Sequence, residues 1–534
     1  MPLETLLRLD NSSISSTSSN SGEQPQSDDE PCQPILATPA LNQVVQDAVF
    51  QANCYEDLAQ SPDDLLLDAA RYNERFSLSL VTDIQLFLQH LFPIMPVVDG
   101  EEILSDAIRL DELSPSRYAL VVSLCAATRI QLRMDNAKDG AGEGPDADIP
   151  LEPQLTGETL ISLAENALRQ FNVIEDTSLD SILSSFFLFS SYGNLNNSHH
   201  AWFYLTQSIS LAQSLDLTRQ GGYINLSESE GEKRRRVFWL LFVTERTFAL
   251  QHRWPVMLRS CITKPQVIDS DYPAVMHDFV NHIHLFESLP CSLYEWYPES
   301  DNYQLKDSAL AYKINKQLCT IQPDKSIIES QRFDTLITQQ WLRVSIWRLV
   351  FGKKLSPAYT HRLLLPADLP IDAGRIIMAT LDSIDPRSKD CHGIGMEQKL
   401  FDLGISLADS ALLPGWSCSS FEIGPRDLLS AVVRALSKAR GCQSHLLPTL
   451  LKHSEALLGF ADPAAHIDIQ WEVTPDAENL QQDNVIEEVS GQEDESIDLI
   501  NWVSGDELRL SDLAPPTFAL SCEDRALSCD QFDL

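Results

Sequence analysis

Long apolar runs are missing from this chain of 534 residues. No window approaches the roughly 20 consecutive apolar residues that cross a bilayer, and Met1 to Asn20 lacks the basic-then-apolar order of a secretory leader. Bases are scarce: 39 Lys and Arg face 77 Asp and Glu, a formal net charge of −38. A surface with that balance is not built to neutralise nucleic-acid phosphates by itself. The 11 cysteines are odd in number and far apart, as at Cys54, Cys125, Cys261 and Cys391. That spacing excludes a tight disulfide framework and points to a reduced, intracellular protein. Catalytic signatures are also absent. There is no G-x-S-x-G elbow, no H-E-x-x-H and no phosphate-cradling glycine loop, since Gly140, Gly142 and Gly144 sit among acids and Phe351 to Lys354 lacks the flanking glycine and hydroxyl. The chain does not read as an enzyme.

What is present is 43% apolar residues, enough for a large core, and a charge that is concentrated at the ends. Residues 1–70 hold 12 acids and 1 base, and residues 471–534 hold 17 acids and 2 bases. Ser, Asn, Gln, Pro and acids dominate the first part, so residues 1–60 are expected to be a disordered arm. Residues 61–470 are expected to form one helical domain, interrupted by a Gly, Asp and Pro-rich loop at about 135–153. Residues 471–534 form an acidic tail.

Helical spacing recurs along the middle. Arg117–Met134 is apolar, and Thr159–Phe171 places Leu160, Leu163, Ala164, Ala167, Leu168 and Phe171 on one face. Ser181–Tyr192, Ala201–Leu217 and Glu228–Leu250 follow at short intervals, the pattern of antiparallel helix pairs. Ser326–Phe351 repeats the spacing through Phe333, Leu336, Trp341, Ile346 and Leu349. Alternating strand patterns are almost absent, so the expected fold is all-α.

Glu228 to Arg259 carries the strongest local signal. Ser227 and Glu230 have capping-box spacing, and Glu230–Arg234 and Glu232–Arg236 are i,i+4 pairs with the acid first, each contributing about 0.2–0.5 kcal/mol. Lys233, Arg234, Arg235 and Arg236 can be read as a localisation or phosphate-contacting patch, or as an ordinary helix turn balanced by Glu228, Glu230 and Glu232.

This segment, EKRRRVFWLLFVTERTFAL, resembles the middle homology region of fungal zinc-cluster transcription factors. Ala201–Arg219, Phe92–Asp99 (FPIMPVVD), Gln339–Trp347 and His392–Asp409 are similar to further segments of the same family, so the resemblance spans about residues 75–460. The last segment resembles the sugar-utilisation activators within it. The resemblance implies a nuclear regulator controlling genes of carbohydrate-utilisation or secondary-metabolite pathways. It also implies zinc in a six-cysteine DNA-binding cluster. No such cluster occurs in these 534 residues, so neither a cofactor nor direct DNA binding is expected here. The chain then reads either as a shortened activator or as a regulator that works in a homomer or heteromer with a DNA-binding partner.

Glu493–Leu513 (EDESIDLINWVSGDELRLSDL) alternates acids with large apolar residues, as activation segments do. Leu499, Ile500, Trp502 and Leu508 are the expected contacts to transcription machinery or co-activators. A solubilising tail or a helix docking on the chain's own core are the alternatives. Two further readings concern the helical domain. His277, Asp278, His282 and His284 form the tightest set of potential metal ligands, although such histidines are more often surface groups. An apolar metabolite pocket could draw on Trp202, Trp239, Trp254 and Trp341, residues that at this spacing are more often core. It would make the chain a metabolite-sensing co-regulator. No metal site is expected, and no membrane contact.

Overall fold

The structure, a computed structural model, describes residues 62–135, 155–268, 270–294, 308–322, 328–351, 365–411, 423–439 and 444–458. All of them fall within one compact unit, residues 1–463; the second unit, 464–534, lies outside the described residues, as do the expected arm and nearly all of the 135–153 loop. Among the described residues every regular element is helical, as the spacing predicts.

The first group comprises α1 (Pro62–Leu86), α2 (Gly100–Ile108), α3 (Pro115–Leu132), α4 (Gly157–Leu168), α5 (Asp180–Asn194), α6 (Ser198–Ser214) and α7 (Glu228–His252). Helix α1 widens into a π-turn at Phe87–Leu91 before Pro93 and Pro96 end the run. Ser114 starts α3 by accepting from Arg117 N at 3.3 Å, Pro115 occupies the first turn, and Arg133 in the left-handed region (φ 55°) stops it. This helix is apolar on most of its circumference and is buried from Ala119 to Thr128, because α1, α4 and α5 all pack on it. Arg129 ties α3 to α1 through Asp83 at 2.6 Å.

The second group comprises α8 (Pro273–Glu287), α9 (Ser308–Thr320), α10 (Glu329–Phe351), α11 (Leu369–Ser383), α12 (Pro386–Asp390), α13 (Gly393–Ala411), α14 (Pro425–Lys438) and α15 (Leu447–Leu458). Here α13 is central, packing against α10, α11, α14 and α15. Trp341 and Trp347 of α10 are fully buried, and the Trp341 indole donates to Asp402 Oδ2 of α13 at 2.8 Å. The two groups meet where α8 contacts α7, and where the start of α13 reaches α3 and α5. That junction holds the cavity described next.

Candidate functional site

A cavity of about 290 Å³ lies at this junction, with walls from α5, α7, α8, α10 and α13. Phe186, Phe189, Phe248 and Phe279 supply aromatic faces, and the remaining lining is mostly polar side chains. On α10, Gln331, Asp334, Thr335 and Thr338 follow i, i+3, i+4, i+7 spacing, a polar stripe on an otherwise apolar helix.

Asp334 is the hub. Its Oδ1 accepts from Lys399 Nζ at 3.0 Å and from Thr338 Oγ1 at 3.2 Å, and Lys399 also donates to Thr338 Oγ1 at 2.6 Å. His282 Nδ1 lies 3.8 Å from Oδ2 and His392 Nδ1 lies 4.0 Å from Oδ1. Burial alone would raise the Asp334 carboxyl, but Lys399 with His282 and His392 outweighs it and holds the group well below the usual carboxylate range. Burial pushes His282 down to about 4 and also lowers His392, so both rings are neutral near pH 7. His392 Nε2 is 3.1 Å from Ser330 O and therefore carries the ring hydrogen.

Asp278, one helical turn before His282, accepts from Thr335 Oγ1 at 2.9 Å through Oδ2. Burial, with Asp334 nearby, raises it to about 7 against the opposing Thr335 bond. A second polar knot closes the other wall. Gln131 Oε1 accepts from Ser190 Oγ at 3.1 Å and Asn194 Nδ2 at 3.4 Å, and Asn194 Oδ1 accepts from Ile394 N at 3.0 Å. Gly393 adopts φ +54° here, and a Cβ at that position would collide with the Asn194 amide oxygen.

The residues singled out in sequence are distributed differently. His277, Asp278, His282 and His284 lie on α8, not on a strand or loop, so His282 and His284 point about 200° apart. Only Asp278 and His282 of the four reach the cavity, and no group of three or more His, Cys, Asp or Glu among the described residues is arranged to hold a metal. The tryptophans do not line it either. Trp239 and Trp341 are core, and Trp202 packs on Trp254 with ring centroids 3.9 Å apart. Asp334, Lys399 and His392 come from distant parts of the sequence and were not anticipated as partners.

At the basic turn, Ser227 caps α7 by accepting from Glu230 N at 3.2 Å, but the Glu230 carboxylate turns to Arg234 at 2.7 Å instead of back to the cap. Glu232 pairs with Arg235 at 3.4 Å, not with Arg236. Lys233 reaches Glu102 at 3.1 Å, and Arg236 donates to Pro96 O at 3.4 Å from a mostly buried position. Each of the four cations is thus engaged within the fold. Leu499, Ile500, Trp502 and Leu508 lie outside the described residues.

A family model, the fungal specific transcription factor domain, matches residues 84–362. The probable sucrose utilization protein SUC1 of Candida albicans is 23% identical over 235 residues, covering 43% of this chain and 46% of its own. The maltose fermentation regulatory protein MAL13 of Saccharomyces cerevisiae is 22% identical over 334 residues, covering 61% and 66%. The respiratory transcription factor ZNF1 of the same yeast is 23% identical over 335 residues, covering 61% and 68%. The chain therefore spans about half to two thirds of the length of these curated relatives. The matches agree with the resemblance read from Glu228–Arg259, and the relatives' names agree with its sugar-utilisation branch. No described helix is long and apolar enough to cross a membrane. With more than half of its residues inside the matched region, the chain belongs to the fungal specific transcription factor domain family of transcription regulators.

Proposed function

We propose that the chain acts in the nucleus to control carbohydrate-utilisation genes, with the helical domain as its regulatory body and residues 471–534 as its activating contact. The family match over residues 84–362 carries this reading. The names of the sucrose and maltose relatives support the choice of pathway. The tail's 17 acids against 2 bases, interleaved with Leu499, Ile500, Trp502 and Leu508, support the contact to transcription machinery or co-activators. The proposal assigns no DNA contact to these 534 residues, whose charge balance opposes it and which contain no six-cysteine cluster. DNA is reached through a zinc cluster carried elsewhere, on a partner in a homomer or heteromer or on a longer form of the chain.

The test is a fusion of residues 471–534 to a foreign DNA-binding module. It is expected to activate a reporter and to lose that activity when Leu499, Ile500, Trp502 and Leu508 are replaced by alanine. An inert fusion, or one indifferent to the four alanines, removes the activating role.

A further inference from the structure

Three features of the junction cavity bear on what could occupy it. Its volume, about 290 Å³, lies at the lower bound of small-molecule sites, roughly 300 Å³. Its fixed charges are already matched, since Asp334 is paired with Lys399 at 3.0 Å while His282 and His392 are neutral. Two of its lining residues carry buried acceptors without a donor, Asp278 Oδ1 and Gln331 Oε1. The orientation of the Gln331 amide is fixed, because its Nε2 donates to Pro93 O and to Val275 O (3.1 Å), so the oxygen cannot exchange places with it. An acceptor left in that state typically costs about 1–3 kcal/mol, which a donor from a ligand would relieve.

We propose that this cavity binds a neutral, hydroxyl-rich small molecule of the saccharide or polyol class. Hydroxyls supply the donors that Asp278 and Gln331 lack, and they accept in turn from amide and hydroxyl groups such as Gln398 and Thr244. The four phenylalanines offer apolar surface to the C–H side of a ring. Charged ligands fit poorly. An anion would meet Asp334 and a cation would meet Lys399, each already paired with the other, while burial favours the neutral form of Asp278. The lining spans both helix groups, so a bound molecule would tie α5 and α7 to α8, α10 and α13. This inference does not depend on the activating role of the tail, which the fusion experiment tests separately.

Gly193 on α5 and Gly395 on α13 both line the cavity, and a Cβ added at either meets nothing within 4 Å. Leucine there fills space without an immediate clash and also favours the helix. The experiment is a thermal-shift and calorimetric titration of the full chain with neutral mono- and disaccharides and linear polyols, beside an amino sugar and a sugar phosphate. The expected result is a saturable rise in Tm with at least one neutral compound. In Gly193→Leu, and independently in Gly395→Leu, the ligand-free Tm should be retained and the dissociation constant should rise by about tenfold or more, equivalent to about 1.4 kcal/mol. The proposal is overturned if no neutral compound binds, if the charged analogues bind more tightly than their neutral parents, or if both leucine variants fold and bind as well as the original chain.

Discussion

Asp334 on α10 and Lys399 on α13 meet at 3.0 Å beneath the junction cavity, 65 positions apart in the chain. Both side chains are largely removed from solvent, so the pair is held by geometry that two buried helices impose. Removing one partner leaves the other as an uncompensated buried charge. Lys399→Met is therefore expected to lower unfolding stability by about 3 kcal/mol. The double variant Asp334→Asn with Lys399→Met should lose less than the sum of the two single changes, as read by urea denaturation. Additive losses would show that the two groups are not coupled.

Asp278 gives a pH signature. Its folded value of about 7 lies above the ordinary 3.8, so the protonated form is favoured on folding. The stability this contributes is complete below about 3.8, declines as the pH rises and is gone above about 7. Asp278→Asn has no such titration, so its stability relative to the original chain should rise between pH 4 and pH 7 and then level off. The span corresponds to about 4 kcal/mol at most. His282 and His252, lowered to about 4 by burial, act in the opposite direction in both proteins, since a buried neutral ring resists protonation. Comparing the two proteins cancels that contribution. A difference that does not change with pH would contradict the burial assigned to Asp278.

Glu245 and Arg246 clamp the chain that follows α7. Glu245 accepts from Met257 N at 2.5 Å and Leu258 N at 3.0 Å, while Arg246 donates to Leu258 O at 3.0 Å. Both side chains are at most 2% exposed. Glu245→Ala strands two backbone donors and the arginine, with an expected loss of about 3 kcal/mol, whereas Glu245→Gln should recover part of it. Equal losses in the two variants would argue against the backbone contacts as the cause.

The basic turn separates structural from import roles. Lys233 makes a partly exposed pair with Glu102, so Lys233→Gln should cost no more than about 1 kcal/mol. Arg236 is mostly buried against Pro96 O, and Arg236→Ala should cost more through lost packing and an orphaned carbonyl. If these cations serve the fold, nuclear accumulation of the Lys233→Gln protein should be unchanged. Loss of import with stability retained would favour the localisation reading.

The helices were legible because their signals are local. The apolar spacing in Thr159–Phe171, the Ser227 cap before Glu228 and the prolines after Leu91 each involve residues within a turn or two, and the structure places α4, α7 and the π-turn there. The i,i+4 rule pairs Glu232 with Arg236, but Arg236 reaches Pro96 O, a partner 140 positions away, and Glu232 pairs with Arg235. The cavity was less accessible for the same reason. Asp278 and His282 drew attention through proximity in sequence, but their significance depends on Asp334, Lys399 and His392, which only the tertiary packing assembles. One usable signal did exist, the buried polar stripe Gln331, Asp334, Thr335 and Thr338 within an apolar helix. Residues of that kind at i, i+3, i+4, i+7 have to be satisfied by a neighbour or by a ligand.

The most direct test of the regulatory function is to tether the full 534-residue chain to a foreign DNA-binding module upstream of a reporter in a fungal host, with and without residues 471–534. The expected result is activation above the module alone that disappears when the tail is deleted. A tethered full chain that leaves the reporter unchanged on every carbon source, or one whose activity survives loss of the tail, would contradict it.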